Sequence, residues 1–76
     1  MTKQEQLAEY NIQDIIEYIV IDNNVEYDMA MQMFFNSVTF EKLMDLETGL
    51  YIQSSAYIYS LFCDEMSQNG FNQNEI

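Results

Sequence analysis

Apolar positions recur at helical spacing along most of this chain. Leu7, Ala8, Ile12, Ile15, Ile16 and Ile19 fall three and four residues apart, which places them on one face of a helix. Glu9, Gln13, Asp14 and Glu17 lie off that face. Thr2-Lys3-Gln4-Glu5 reads as a capping box, in which a hydroxyl and a carboxylate each satisfy the other residue's backbone donor. The helix should close near Asp22, where Asn23 or Asn24 can turn left-handed. Asn11 is a point where it could restart, leaving 3–10 as a separate or frayed turn.

A second helix is predicted over 27–36, with Glu26 at its start where a Ser or Thr cap is more usual. Met29, Ala30, Met31, Met33, Phe34 and Phe35 make it apolar on all sides, so it is either buried all round or offers a second face to a partner. Ser37-Val38-Thr39 breaks it, and Thr39 is read as the cap of a short third helix over 40–46. Gly49 suits a helix stop, since positive φ costs it nothing, and 51–53 is read as an extended link. Ser54 or Ser55 caps a last helix to about Ser67, with Ile58, Leu61, Phe62 and Met66 as its stripe. Asn69-Gly70 should end it.

These elements predict an all-α fold, a small bundle of about four helices in a single domain over 1–70, with a mobile tail over 71–76. The expected core is Ile12, Ile15, Ile16, Ile19, Ala30, Phe34, Leu43, Leu50, Ile58, Leu61 and Phe62. A chain of 76 residues buries only about 60% of its unfolded surface, so its stability margin is thin. With one Cys and no His, neither a disulfide within the chain nor a structural zinc site can staple it. Dense packing or association must serve instead.

Charge narrows the function classes. Thirteen acids face two bases, Lys3 and Lys42, for a formal charge of −11. Direct nucleic-acid binding needs cations to displace counterions from phosphate, and anionic membranes are disfavoured likewise. A basic protein partner is permitted. The lone Cys, the acidic N-terminus and the absence of a long apolar run predict a cytoplasmic protein.

No catalytic, cofactor or metal site stands out. Acid pairs such as Asp14 with Glu17, and Glu41 with Asp45, sit at helical neighbour spacing, but a catalytic pair needs one carboxyl in an apolar pocket. The 22–28 segment lacks the Gly of a calcium loop. Cys63, Ser54 and Ser55 have no His to activate them, so Cys63 is read as a small buried hydrophobe. A helix-turn-helix reading of the second and third helices fails on charge, since Glu41, Asp45 and Glu47 would meet phosphate beside one Lys42.

Two signals remain. The six Met, six Tyr and five Phe exceed what so small a core can hide, and predict a homodimer or a heteromer with another protein. Glu41, Asp45 and Glu47 crowd the third helix and its closing turn, and carboxylates at a helix C-terminus cost about 0.3–1 kcal/mol each. Acids held at a costly place point to a partner-binding site of Glu41, Asp45, Glu47 and Tyr51, with Tyr59 adding apolar area. The alternative is a homodimeric structural or adaptor protein whose acidity is only solubilising.

Leu46-Glu47-Thr48-Gly49-Leu50-Tyr51, followed by Gln53-Ser54 and Tyr57-Ile58-Tyr59, resembles a group of short, uncharacterised acidic bacterial proteins. Their shared segment is E-T-G-L-Y-x-x-S before a Tyr-rich final helix. With Ala30 and the Asn36-Ser37 break, the resemblance spans roughly 12–66. Such proteins are encoded beside small companion genes and, in places, near ADP-ribosyltransferase-like toxin genes. The resemblance implies an antitoxin or accessory role, and it carries over no catalytic residue.

Overall fold

The computed structural model describes the backbone of residues 2–74 and the side chains of residues 2–68. Four α-helices, α1 (Lys3–Asn23), α2 (Tyr27–Phe35), α3 (Val38–Met44) and α4 (Ser55–Asn74), form an all-α bundle with no strand among the described residues. Two 3-10 turns, Leu46–Thr48 and Leu50–Ile52, join α3 to α4.

Local chemistry sets most of the ends. Glu5 N–H donates to the Thr2 hydroxyl at 3.2 Å, and Thr2 N–H donates to Glu5 Oε1 at 3.0 Å, closing the capping box. Asn24, at φ 53° and ψ 47°, closes α1 in the left-handed region. Gly49, at φ 71°, separates the two 3-10 turns. The Ser54 hydroxyl accepts from Tyr57 N–H at 3.1 Å and starts α4.

Elsewhere the structure corrects the sequence reading. Asn11 does not restart α1; the helix runs through it unbroken, because the Asn11 amide is spent on a distant backbone carbonyl instead of its own turn. Ser37, not Thr39, caps α3, accepting from Phe40 N–H at 3.0 Å, so the helix starts at Val38 and ends at Met44. α2 begins after Glu26 with no side-chain cap. The 51–53 link is not extended: Ile52 and Gln53 N–H groups donate to the Gly49 and Leu50 carbonyls at 3.1 and 3.0 Å. α4 continues past Asn69-Gly70 to Asn74; of the expected tail, 71–74 are helical, and 75 and 76 lie outside the described residues.

Ala8, Ile15, Ile16, Ile19, Ala30, Phe34, Leu43, Ile58 and Phe62 make the buried core. Phe34 is its centre, meeting Phe40 and Phe62 edge-on at ring distances of 5.5 and 5.6 Å. Ile12, Leu50 and Leu61 were expected inside and are only half-buried, though Ile12 and Leu50 still pack against the core. Cys63 is exposed and not a core residue: Phe62 takes the inward position, and one residue onward the helix has turned by about 100°. α2 is not buried all round, for Met29 is 51% exposed and Phe35 40%. No described helix is long and apolar enough to cross a membrane.

Candidate functional site

The acids singled out in the sequence stand together on α3 and the turn after it. Glu41 is exposed on α3. Asp45 ends that helix and turns its carboxylate to the next element, where Oδ1 accepts from Glu47 N–H at 3.1 Å. Its position at a helix C-terminus therefore has a structural cause, the capping of the first 3-10 turn. Glu47 projects into solvent from that turn. Interspersed with the acids are apolar side chains left in water: Val38, Met44, Leu46 and Ile52 are all at least 40% exposed.

Tyr51 and Tyr59 belong to other surroundings. Tyr51 is half-buried in the second 3-10 turn, and its carbonyl accepts from Asn11 Nδ2 at 3.1 Å. Tyr59 leans on α1: its hydroxyl donates to Asp22 Oδ2 at 2.7 Å and its ring lies 5.2 Å from that of Tyr18. Burial and the Asp22 carboxylate raise its pKa, so the phenol stays neutral. On α4, it is Glu65 that reaches α3. Tyr59, six residues earlier, points about 120° away from Glu65 around the helix, so it does not join the α3 acids.

Glu65 is the polar residue that pattern reading missed. Its Oε2 accepts from Val38 N–H at 2.8 Å, and its Oε1 accepts from Thr39 N–H at 2.9 Å and from the Thr39 hydroxyl at 2.8 Å. A carboxylate from α4 thus satisfies the first donors of α3, at the positive end of its dipole. Burial pushes the Glu65 pKa up, but those hydrogen bonds outweigh it and hold the carboxyl below its usual range. The available signal was an acid on an apolar stripe, three residues after Phe62 and four after Leu61.

A second polar joint holds α1 to the start of α4. The Ser55 hydroxyl lies 2.7 Å from Asn11 Oδ1 and 2.8 Å from Asp14 Oδ2, sharing one proton between two acceptors. Asn11 is 93% buried, and its amide is used at both ends.

Among the described residues, two clefts flank α4. One, of about 370 Å³, lies between α3 and α4 and is lined by Val38, Thr39, Lys42, Leu61, Asp64 and Glu65. The other, of about 460 Å³, lies among α1, α2 and α4 and is lined by Asp22, Met33, Tyr59, Phe62, Cys63 and Met66. No group of three His, Cys, Asp or Glu side chains placed to hold a metal occurs among the described residues. Glu5 and Glu65, whose carboxyls are held low by hydrogen bonds, are both engaged at helix N-termini. The polar arrangements described hold helices together and leave an acidic, partly apolar exterior. No family model, curated protein or solved structure matches the chain.

Proposed function

We propose that this chain is a non-enzymatic protein-binding module whose surface on α3 and the following turns engages a basic partner protein. One observation carries the reading. Within Val38–Ile52, Glu41, Asp45 and Glu47 are exposed beside exposed Val38, Met44, Leu46 and Ile52. Apolar side chains supply contact area and acids supply orientation and faster encounter, the composition an interface with a cationic protein requires. The resemblance of Leu46–Tyr51 to short acidic bacterial proteins extends the reading to an antitoxin or acidic inhibitor, with the carboxylates covering a basic cleft. Tyr51 borders this surface; Tyr59 contributes from the far side of α4 only to a partner that wraps around it.

Affinity capture from the native cell tests this, using the chain and a variant carrying Glu41→Gln, Asp45→Asn and Glu47→Gln. The reading expects a basic protein retained at low salt, released at high salt and lost with the variant. Equal capture by both chains with an unchanged salt response would refute the site. A second reading, a homodimeric structural or adaptor protein, draws on Tyr27, Met29 and Phe35, exposed on α2. Sedimentation separates the two: a concentration-dependent dimer abolished by Met29→Lys supports the second, and a monomer at all concentrations removes it.

A further inference from the structure

We propose that the cleft among α1, α2 and α4 is a docking groove for the apolar face of a cationic amphipathic helix. This rests on the protein-binding reading and names the chemistry of the partner. The groove's volume, about 460 Å³, falls in the range of about 300–1,000 Å³ typical of ligand clefts. Met33, Phe62 and Met66 line it, and thioether chains repack readily around a guest side chain. Helix-in-groove recognition needs such an apolar trough, with polar groups at the margin to set the register.

Charge selects the occupant. Asp22 and Asn23 stand at one wall and Ser67 at another, and among the described residues no cation lines the groove. Lys42 lines the opposite cleft, and Lys3 sits twenty residues before Asn23, at the other end of α1. A second copy would bring another −11 charge and no basic stripe of its own, so mutual repulsion opposes it. A helix with Leu on one face and Lys on the other brings apolar anchors to the methionines and positive charge to the acidic field.

Cys63 makes the groove directly observable, because it is the chain's one thiol, it is exposed and it lines this cleft. The experiment follows alkylation of Cys63 by iodoacetamide in the intact wild-type chain. The probe is a synthetic Leu/Lys peptide patterned as an amphipathic helix. A scrambled peptide of identical composition, with no apolar stripe, is the control. At patterned peptide of about ten times its Kd, alkylation should slow roughly tenfold, following the factor 1 + [L]/Kd. The scrambled peptide, drawn by charge alone, should protect far less.

Equal protection by both peptides would overturn the proposal, leaving diffuse attraction of cations. Unchanged Cys63 reactivity with saturating patterned peptide would overturn it as well. In either case partner capture that depends on Glu41, Asp45 and Glu47 would leave the module reading standing without this groove. As a second readout, Met33→Lys should abolish protection in a chain whose circular dichroism is unchanged. Protection that persists in that folded variant counts against the groove.

Discussion

The residues that matter most to the architecture are polar ones on apolar faces. Asn11 shares the inner side of α1 with Ala8, Ile15 and Ile19, and it ties Tyr51 and Ser55 to that helix. Replacing Asn11 with Ala strands the Tyr51 carbonyl at this joint, while the Ser55 hydroxyl keeps Asp14 as its acceptor, a loss of about 1–3 kcal/mol. Thermal unfolding should show a midpoint lower by at least about 4 °C, given about 4–8 °C per kcal/mol for a domain of this size. Glu65 predicts a pH effect. Its folded pKa lies below the unfolded value, so its stabilisation is fully present above the unfolded pKa, near 4.5, and is lost as pH falls through the lower folded pKa. Glu65→Gln should lower stability at neutral pH by about 1 kcal/mol, a cap-sized loss limited by solvent screening. Denaturant titrations at pH 7 and below pH 4.5 check this: the gap between wild type and variant should narrow in acid. Each residue interrupts an apolar stripe, yet Asn11 was read only as a possible restart and Glu65 was missed. What the pattern could not supply was the partner of each, 26 to 44 positions away.

Element ends divide by the range of the forces that set them. The Thr2 box, the left-handed Asn24, Gly49 and the Ser54 cap were legible because each closes within four residues. The start of α3 was not, because both Ser37 and Thr39 are good caps and the choice falls to Glu65. Once that carboxylate occupies the Val38 and Thr39 donors, Thr39 is drawn inside the helix and Ser37 is left outside it. The 3-10 link was misread as extended because the bonds that turn it run between backbone groups, from Ile52 and Gln53 N–H to the Gly49 and Leu50 carbonyls, and leave no side-chain signature. Gly49 offers a clean test of local strain. A Cβ there would meet no atom within 4 Å, so Gly49→Ala adds no clash. Its cost is the left-handed conformation alone, about 1–2 kcal/mol, which urea unfolding should register with an unchanged m-value.

For the whole molecule the governing quantity is the charge of −11 with only two cations. Like charges spread over so small a body repel, and salt screens them. Stability should therefore rise as sodium chloride is raised from low to physiological ionic strength, with the thermal midpoint moving up; a falling midpoint would mean that local attractions such as the Glu65 cap outweigh the repulsion. The same addition of salt should weaken a basic partner's hold. The all-α class was legible because hydrophobic periodicity is a property of each segment alone. Which apolar side chains stay outside was not, since that is decided by how four helices share one core: Cys63 and Met29 carry apolar chemistry yet face water.

The pairing of α1 with α4 has a consequence for how the protein is made. Ile15 and Ile19 share the buried core with Ile58 and Phe62, and Tyr18 and Asp22 reach across to Tyr59. During synthesis the inner face of α1 emerges long before the helix that shelters it. Until Phe62 has left the ribosome, the nascent chain displays an isoleucine-rich stripe in water, the kind of surface chaperones hold and proteases exploit. Ribosomes stalled before codon 55 should accordingly carry chains that are protease-sensitive and chaperone-bound, and release of α4 should switch both properties off together.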